Sequence, residues 1–194
     1  MKPDFDKAQN AATSLLLHQT ITGLFLDVRN FVLPSNIVID SVQNFCSVTG
    51  FPASSLSSNH VEGAILLRQS GYNIVLYDEN INNEARKHWG IVHELGHIFL
   101  NHVVDGEKEE KEAHFFTAQV VMPEIVLIDI TKRQGGRLRC SDIYDNFNAS
   151  YTASEKRIQT LQRRGCWNCG PSDLALLQKF SPFLDRVFGN KGIA

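Results

Sequence analysis

A histidine, a glutamate and a second histidine in the run His93-Glu94-Leu95-Gly96-His97 constrain this chain more than any other feature. On a helix, side chains four apart lie only about 40° around the axis from each other, so both imidazoles point the same way, one turn apart, as two ligands of one tetrahedral ion must. The segment is therefore predicted to be helical, over roughly residues 84–101. Val92, Leu95 and Phe99 occupy the other side of that helix, which packs and turns its histidine face into a cleft. Glu94 lies beside the pair, placed to take a proton from water on the metal, the general-base role in zinc peptidases. Such a pattern arises from composition alone in about 1% of comparable chains, so it is read as a site.

Two histidines do not complete a catalytic zinc site, which takes three protein ligands and leaves a position open. His102 lies five residues beyond His97, about 140° away on the apolar side, and Phe99 offers no glycine break to swing it round. It is assigned to packing or capping. The other source is the next predicted helix, Glu107 to Met122, stopped by Pro123. Among Glu107, Glu109, Glu110 and Glu112, helical spacing from Phe116 and Val120 turns Glu112 inward and Glu110 to solvent. Glu109 stays as the rival.

The rest of the chain is compatible with one ordinary globular fold, at 194 residues with 43% apolar and 21% charged side chains. A net charge of -2 gives no general attraction to nucleic acid or an anionic membrane, and no apolar run is long enough to span a bilayer. The N-terminus lacks a basic stretch followed by an apolar run, so a cytoplasmic location is expected, with Cys46, Cys140, Cys166 and Cys169 reduced. Cys166 and Cys169 form a C-x-x-C pair, read as plain thiols because no two further ligands stand at a recognisable spacing.

Helices are expected over residues 4–20 and from Ser35 to Gly50, then a loop over 52–60. Ala64 to Leu67 and Ile74 to Tyr77, separated by Gln69-Ser70-Gly71, read as a β-hairpin. These elements make an α+β fold, mostly helical, with a small sheet or hairpin before the metal-binding helix. Its second strand, residues 72–78, is expected at a sheet edge, where Tyr72, Ile74 and Tyr77 would bind an extended peptide. Tyr72, Tyr77 and His114 are the candidates for stabilising an oxyanion. Two regions are drawn, 1–130 carrying the site and 131–194 packed on the same core. In the second, Ser141 to Phe147 and Tyr151 to Arg164 have the length of a helix-turn-helix, and residues 172–188 form a last segment broken at Pro182. Eight Lys or Arg against three acids over residues 132–164 make this the one place for a nucleic-acid partner, with Tyr151, Lys156 and Arg157 facing phosphates. Interspersed acids and the absence of a basic arm speak against it.

The stretch Arg86 to Pro123, with H-E-L-G-H at 93–97 followed by Glu112-Ala113-His114-Phe115-Phe116-Thr117-Ala118-Gln119-Val120-Val121-Met122-Pro123, resembles the ImmA/IrrE family of zinc metallopeptidases, which reads H-E-L-G-H and then E-A-N-x-F-A-A-x-L-L-M-P. Residues 147–161 carry a weaker likeness. His114 stands where the family has Asn or Asp, Thr117 replaces an Ala, and Trp89-Gly90 replaces a common Phe-Thr. The resemblance implies a zincin-like fold and Zn2+ held by His93, His97 and Glu112, with Glu94 catalytic. It also implies a protein substrate of regulatory kind, typically a helix-turn-helix repressor of a phage or mobile element. A different class of function, a metal-holding regulatory or DNA-interacting protein without peptidase activity, is disfavoured because Glu94 is intact.

Overall fold

The computed structural model describes residues 2–56, 63–104, 106–164 and 169–189. Within them the chain runs α1 (Phe5–Leu17), β1 (Ile37–Ser41), α2 (Val42–Thr49), β2 (Ala64–Gln69), β3 (Tyr72–Tyr77), α3 (Glu84–Phe99), α4 (Glu107–Val121), α5 (Glu124–Arg133), α6 (Cys140–Phe147), α7 (Tyr151–Arg164) and α8 (Pro171–Phe188). This is the expected α+β class, mostly helical with one small sheet. Two compact units are present, one of residues 1–8 and 27–117 and one of residues 9–26 and 118–194. Their boundary at 117/118 differs from the 130/131 division drawn from the sequence, and residues 9–26 go with the second unit.

In the first unit the strands lie in the order β1-β3-β2. β2 and β3 form the expected hairpin, with Leu66 opposite Val75. Its turn residues Ser70 and Gly71 both have positive φ, 51° and 82°, the requirement of a two-residue turn whose twist matches the strands. β1 was expected to be the start of a helix. It is instead a strand parallel to β3, with Ile39 opposite Val75. The β-branched run Ile37-Val38-Ile39 suits a pleated surface, and Ser41 then caps α2 by accepting from the Asn44 N–H at 3.0 Å. β3 is consequently central, which overturns its placement at a sheet edge. Val42, Leu56 and Leu76 form a core cluster here, and α3 packs on β2 and β3.

In the second unit Arg157, one of the basic residues available to a nucleic-acid partner, belongs to a buried charged node. Arg157 is 2% exposed, donates to the Met122 carbonyl at 3.1 Å and to Gln119 Oε1 at 2.9 Å, and pairs with Glu124 at 3.5 Å. Burial pushes its guanidinium down to about 10, with Glu124 pulling the other way. Arg164 also pairs with Glu124, and Arg133 with Asp129 and Asp185. Three of the basic residues counted from the sequence are thus neutralised within the unit, while Tyr151 and Lys156 stay exposed. α8 continues through Pro182 rather than breaking there. No single described helix is long and apolar enough to cross a membrane.

Candidate metal centre

Asn83 starts α3 by accepting from the Arg86 N–H at 3.0 Å, which fixes where the helix begins and so which residues face the cleft. Ile91, Val92 and Leu95 are fully buried on its packed side. His93 and His97 are 3% and 5% exposed, and their Nε2 atoms lie 3.1 Å apart. Glu110, near the start of α4, reaches both: Oε2 is 3.3 Å from His93 Nε2 and Oε1 is 3.4 Å from His97 Nε2. One helical turn further along α4, the ring of His114 sits 4.6 Å from that of His93, and His93, Glu110 and His114 can each offer a ligand atom within 4.8 Å of the others. His114, one of the three oxyanion candidates, is brought to this place.

The donor set fits a divalent ion. Donor atoms of a tetrahedral ion bound at ~2.0–2.1 Å lie ~3.3–3.4 Å apart; here the two histidine nitrogens are 3.1 Å apart and the two oxygens of one carboxylate approach them, Oε2 at 3.3 Å from His93 and Oε1 at 3.4 Å from His97. Two imidazoles and one carboxylate are a known catalytic zinc set that leaves a position open. Burial, reinforced by the neighbouring His114, His97 and His102, pushes His93 down to about 3, so it is a neutral imidazole with a lone pair to give. Its Nδ1 is buried with no hydrogen-bond partner among the described residues. Glu94, next on α3, is half-buried.

The structure places Glu110 at the histidine pair and joins Glu112 to it through His102. Glu112 is indeed inward, 1% exposed, but it does not reach the histidine pair. Its Oε1 accepts the Asp4 N–H at 2.7 Å and lies 3.4 Å from Lys108 Nζ, and its Oε2 lies 3.0 Å from His102 Nε2. Burial alone would raise its carboxyl, yet the Asp4 amide, His102 and Lys108 together hold it below the usual carboxylate range. Glu110, expected to point to solvent, is the acid at the pair, with a side chain 43% exposed. The reason is geometric: the packed centre of α4 carries Glu112, Ala113 and Phe116, whereas the more exposed Glu110 and His114 stand one turn apart beside that centre. Glu109 lies by Lys108 instead. His102, read as packing, is 6% exposed and its Nδ1 is 3.3 Å from His97 Nδ1.

The expected peptide-binding residues occupy the central strand. Tyr72 is 51% exposed at its start, Ile74 is half-buried, and Tyr77 lies under the Arg29 guanidinium, 6.0 Å from the ring centre. Cys46, Cys140 and Cys169 are free thiols, whereas Cys166 lies outside the described residues.

Glu110 was passed over as a metal ligand and His114 was named only as an oxyanion candidate, although their spacing of four repeats that of His93 and His97. A family model described as the IrrE N-terminal-like domain matches residues 52–159, more than half of the chain and inclusive of both helices at the centre. No curated protein and no solved structure matches the chain significantly.

Proposed function

This chain belongs to the IrrE N-terminal-like metallopeptidases, and from that premise we propose that it is a zinc-dependent endopeptidase acting on a regulatory protein such as a helix-turn-helix repressor of a phage or mobile element. The observation that carries the reading is the convergence of His93 Nε2 and His97 Nε2, 3.1 Å apart, with the Glu110 carboxylate, whose two oxygens lie 3.3 and 3.4 Å from them, a two-imidazole, one-carboxylate set of the kind that holds a catalytic zinc. When bound, zinc supplies a Lewis acid that polarises the scissile carbonyl and acidifies water. His93 and His97 give neutral nitrogen lone pairs, and Glu110 gives the negative charge that offsets part of the ion's own. Glu94 takes a proton from the attacking water as its oxygen adds to the carbonyl carbon. The same carboxyl then delivers that proton to the departing amine nitrogen as the C–N bond breaks, leaving an acid and an amine. His114, exposed at the mouth, is the side chain suited to hydrogen-bond the carbonyl oxygen as charge develops on it.

An extended substrate also needs backbone partners. β3 has both edges occupied, so the reading assigns this role to β2, an outer strand of the described sheet that packs on α3. The test is incubation of the purified protein, and of its Glu94→Gln form, with repressors encoded beside it. Cleavage at one bond by the wild type, lost at least ~100-fold in Glu94→Gln with zinc still bound, is expected. A wild type that binds zinc and repressor but cleaves nothing would favour the non-enzymatic regulator instead.

A further inference from the structure

Glu112 and His102 stand outside the three donors, yet they are joined to one of them. Starting from the carboxylate, each contact has a donor and an acceptor that can be assigned. A carboxylate only accepts, so the proton in the 3.0 Å contact between Glu112 Oε2 and His102 belongs to His102 Nε2. With its one ring proton directed at that carboxylate, His102 turns Nδ1 as an acceptor toward His97, whose Nδ1 lies 3.3 Å away. The proton of that contact therefore sits on His97 Nδ1. Its Nε2 is left unprotonated, and this is the atom that lies 3.1 Å from His93 Nε2 and 3.4 Å from Glu110.

We propose that Glu112 and His102 are positioning residues that fix the ring orientation and tautomer of His97 so that its Nε2 lone pair is presented to the metal, with the Asp4 amide anchoring the carboxylate. The proposal rests on the reading of His93, His97 and Glu110 as the metal donors. All three groups of the relay are buried, at 1% for Glu112, 6% for His102 and 5% for His97, so water does not compete for these contacts. The carboxylate is not free to turn. Oε1 faces two donors, the Asp4 N–H at 2.7 Å and Lys108 Nζ at 3.4 Å, which leaves Oε2 for His102. An amide in its place would have to keep its oxygen toward Asp4 and Lys108 and turn its NH2 toward His102. His102 Nε2 would then become the acceptor, Nδ1 would carry the proton, and His97 would move its own proton to Nε2, directly at the metal position. The relay serves one imidazole alone, since the Nδ1 of His93 has no corresponding partner among the described residues. It also gives the recognised Glu112-Ala113 motif a role at the site without membership of the donor set.

The experiment measures zinc affinity of the full chain by chelator competition, the visible spectrum of the cobalt-substituted protein, and the melt of the metal-free form. Glu112→Gln and His102→Ala should each weaken zinc 10- to 100-fold, the range found when outer-shell partners of metal ligands are removed. One ion should still bind per chain, and the cobalt spectrum should keep its shape because the donors are unchanged. His102→Asn, whose side-chain oxygen takes the place of Nδ1 as acceptor, should recover most of the affinity lost in His102→Ala. That rescue separates positioning from packing, because Asn fills the space of an imidazole no better than it replaces its link to Glu112. Wild-type affinity in Glu112→Gln and His102→Ala, with His93→Ala, His97→Ala and Glu110→Gln all losing metal, would overturn the relay and leave the donor set standing. If instead Glu110→Gln kept zinc while Glu112→Gln abolished it and altered the cobalt spectrum of the remaining site, the donor reading itself would fall. Should Glu112→Gln prove unfolded in the metal-free melt, the His102→Ala and His102→Asn pair decides the matter.

Discussion

Replacing Gly96 by alanine tests whether the approach of α3 to α4 sets the metal centre. A Cβ at this position would lie 3.2 Å from Phe116 Cδ1 and 3.3 Å from both the Cα and the carbonyl oxygen of Ala113. Carbon contacts are comfortable from ~3.5 Å, so the methyl needs ~0.3 Å of room. Phe116 is fully buried and the Ala113 atoms are backbone, so the room comes from displacing α4 rather than from a rotamer change. Glu110 stands three residues earlier on that helix and moves with it, away from contacts now at 3.3 and 3.4 Å. Metal–ligand distances tolerate only ~0.2 Å. In stability the substitution gains ~1 kcal/mol of helix propensity over glycine and loses ~1–3 kcal/mol to overpacking. The net cost, between zero and ~2 kcal/mol, lowers the melting temperature by only a few degrees. Zinc affinity should fall at least ~10-fold, about 1.4 kcal/mol. Chelator competition on a variant whose circular dichroism spectrum matches the wild type reads this out. Wild-type affinity would refute the idea that the close approach at Gly96 positions Glu110.

Val75→Pro should abolish zinc binding and the cooperative melt together, because Val75 is fully buried in the central strand between Ile39 and Leu66; zinc retained with a native melt would contradict that position. Arg157→Ala leaves Glu124, 3% exposed, without its buried partner and should cost ~3–5 kcal/mol by chemical denaturation; a loss under ~1 kcal/mol would show the node to be dispensable. Metal-free protein should lose stability as pH falls from 6.5 toward 3. His93 stays neutral in the folded state down to about 3 while the unfolded chain takes up its proton near 6.5, a difference of ~2 kcal/mol by pH 5. The pH profile of the melt should therefore be flatter in His93→Gln, and superimposable profiles would rule out this source.

Local patterns carried most of the element boundaries. α3, α4, the hairpin, α6 and α7 fall within a residue or two of where periodicity, the Ser70-Gly71 turn and Pro123 put them. β1 escaped because Ile37, Val38, Val42, Phe45 and Cys46 also fit one face of a helix, and the evidence against that reading lies far away in sequence. Its partners are residues 73–77, and pairing across more than thirty residues leaves no trace in a local window. The central position of β3 was lost with it, since a hairpin alone has two free edges and only the third strand removes one of β3's. In the second unit charge counting alone cannot tell exposed from paired arginines: Arg157 follows Ser154 at a buried stripe of α7 and is satisfied by Glu124 and two oxygens of the 119–122 stretch.

At the site, the two histidines were legible because four residues on a helix fix their relation regardless of what surrounds them. The acid was not, because the test applied to it was burial. Hydrophobic spacing finds the side of α4 that packs, and by that criterion Glu112, 1% exposed, outranks Glu110, 43% exposed. A centre that must admit a peptide cannot lie in the middle of a packed helix interface. Its donors stand at the border between packed and open faces, as Glu110 does, while the fully buried acid is left for a group that needs shielding from water. The spacing of four between Glu110 and His114 was the usable signal. It is the same interval that selects His93 and His97, and two such pairs on successive helices converge on one cleft only if both sit at that border.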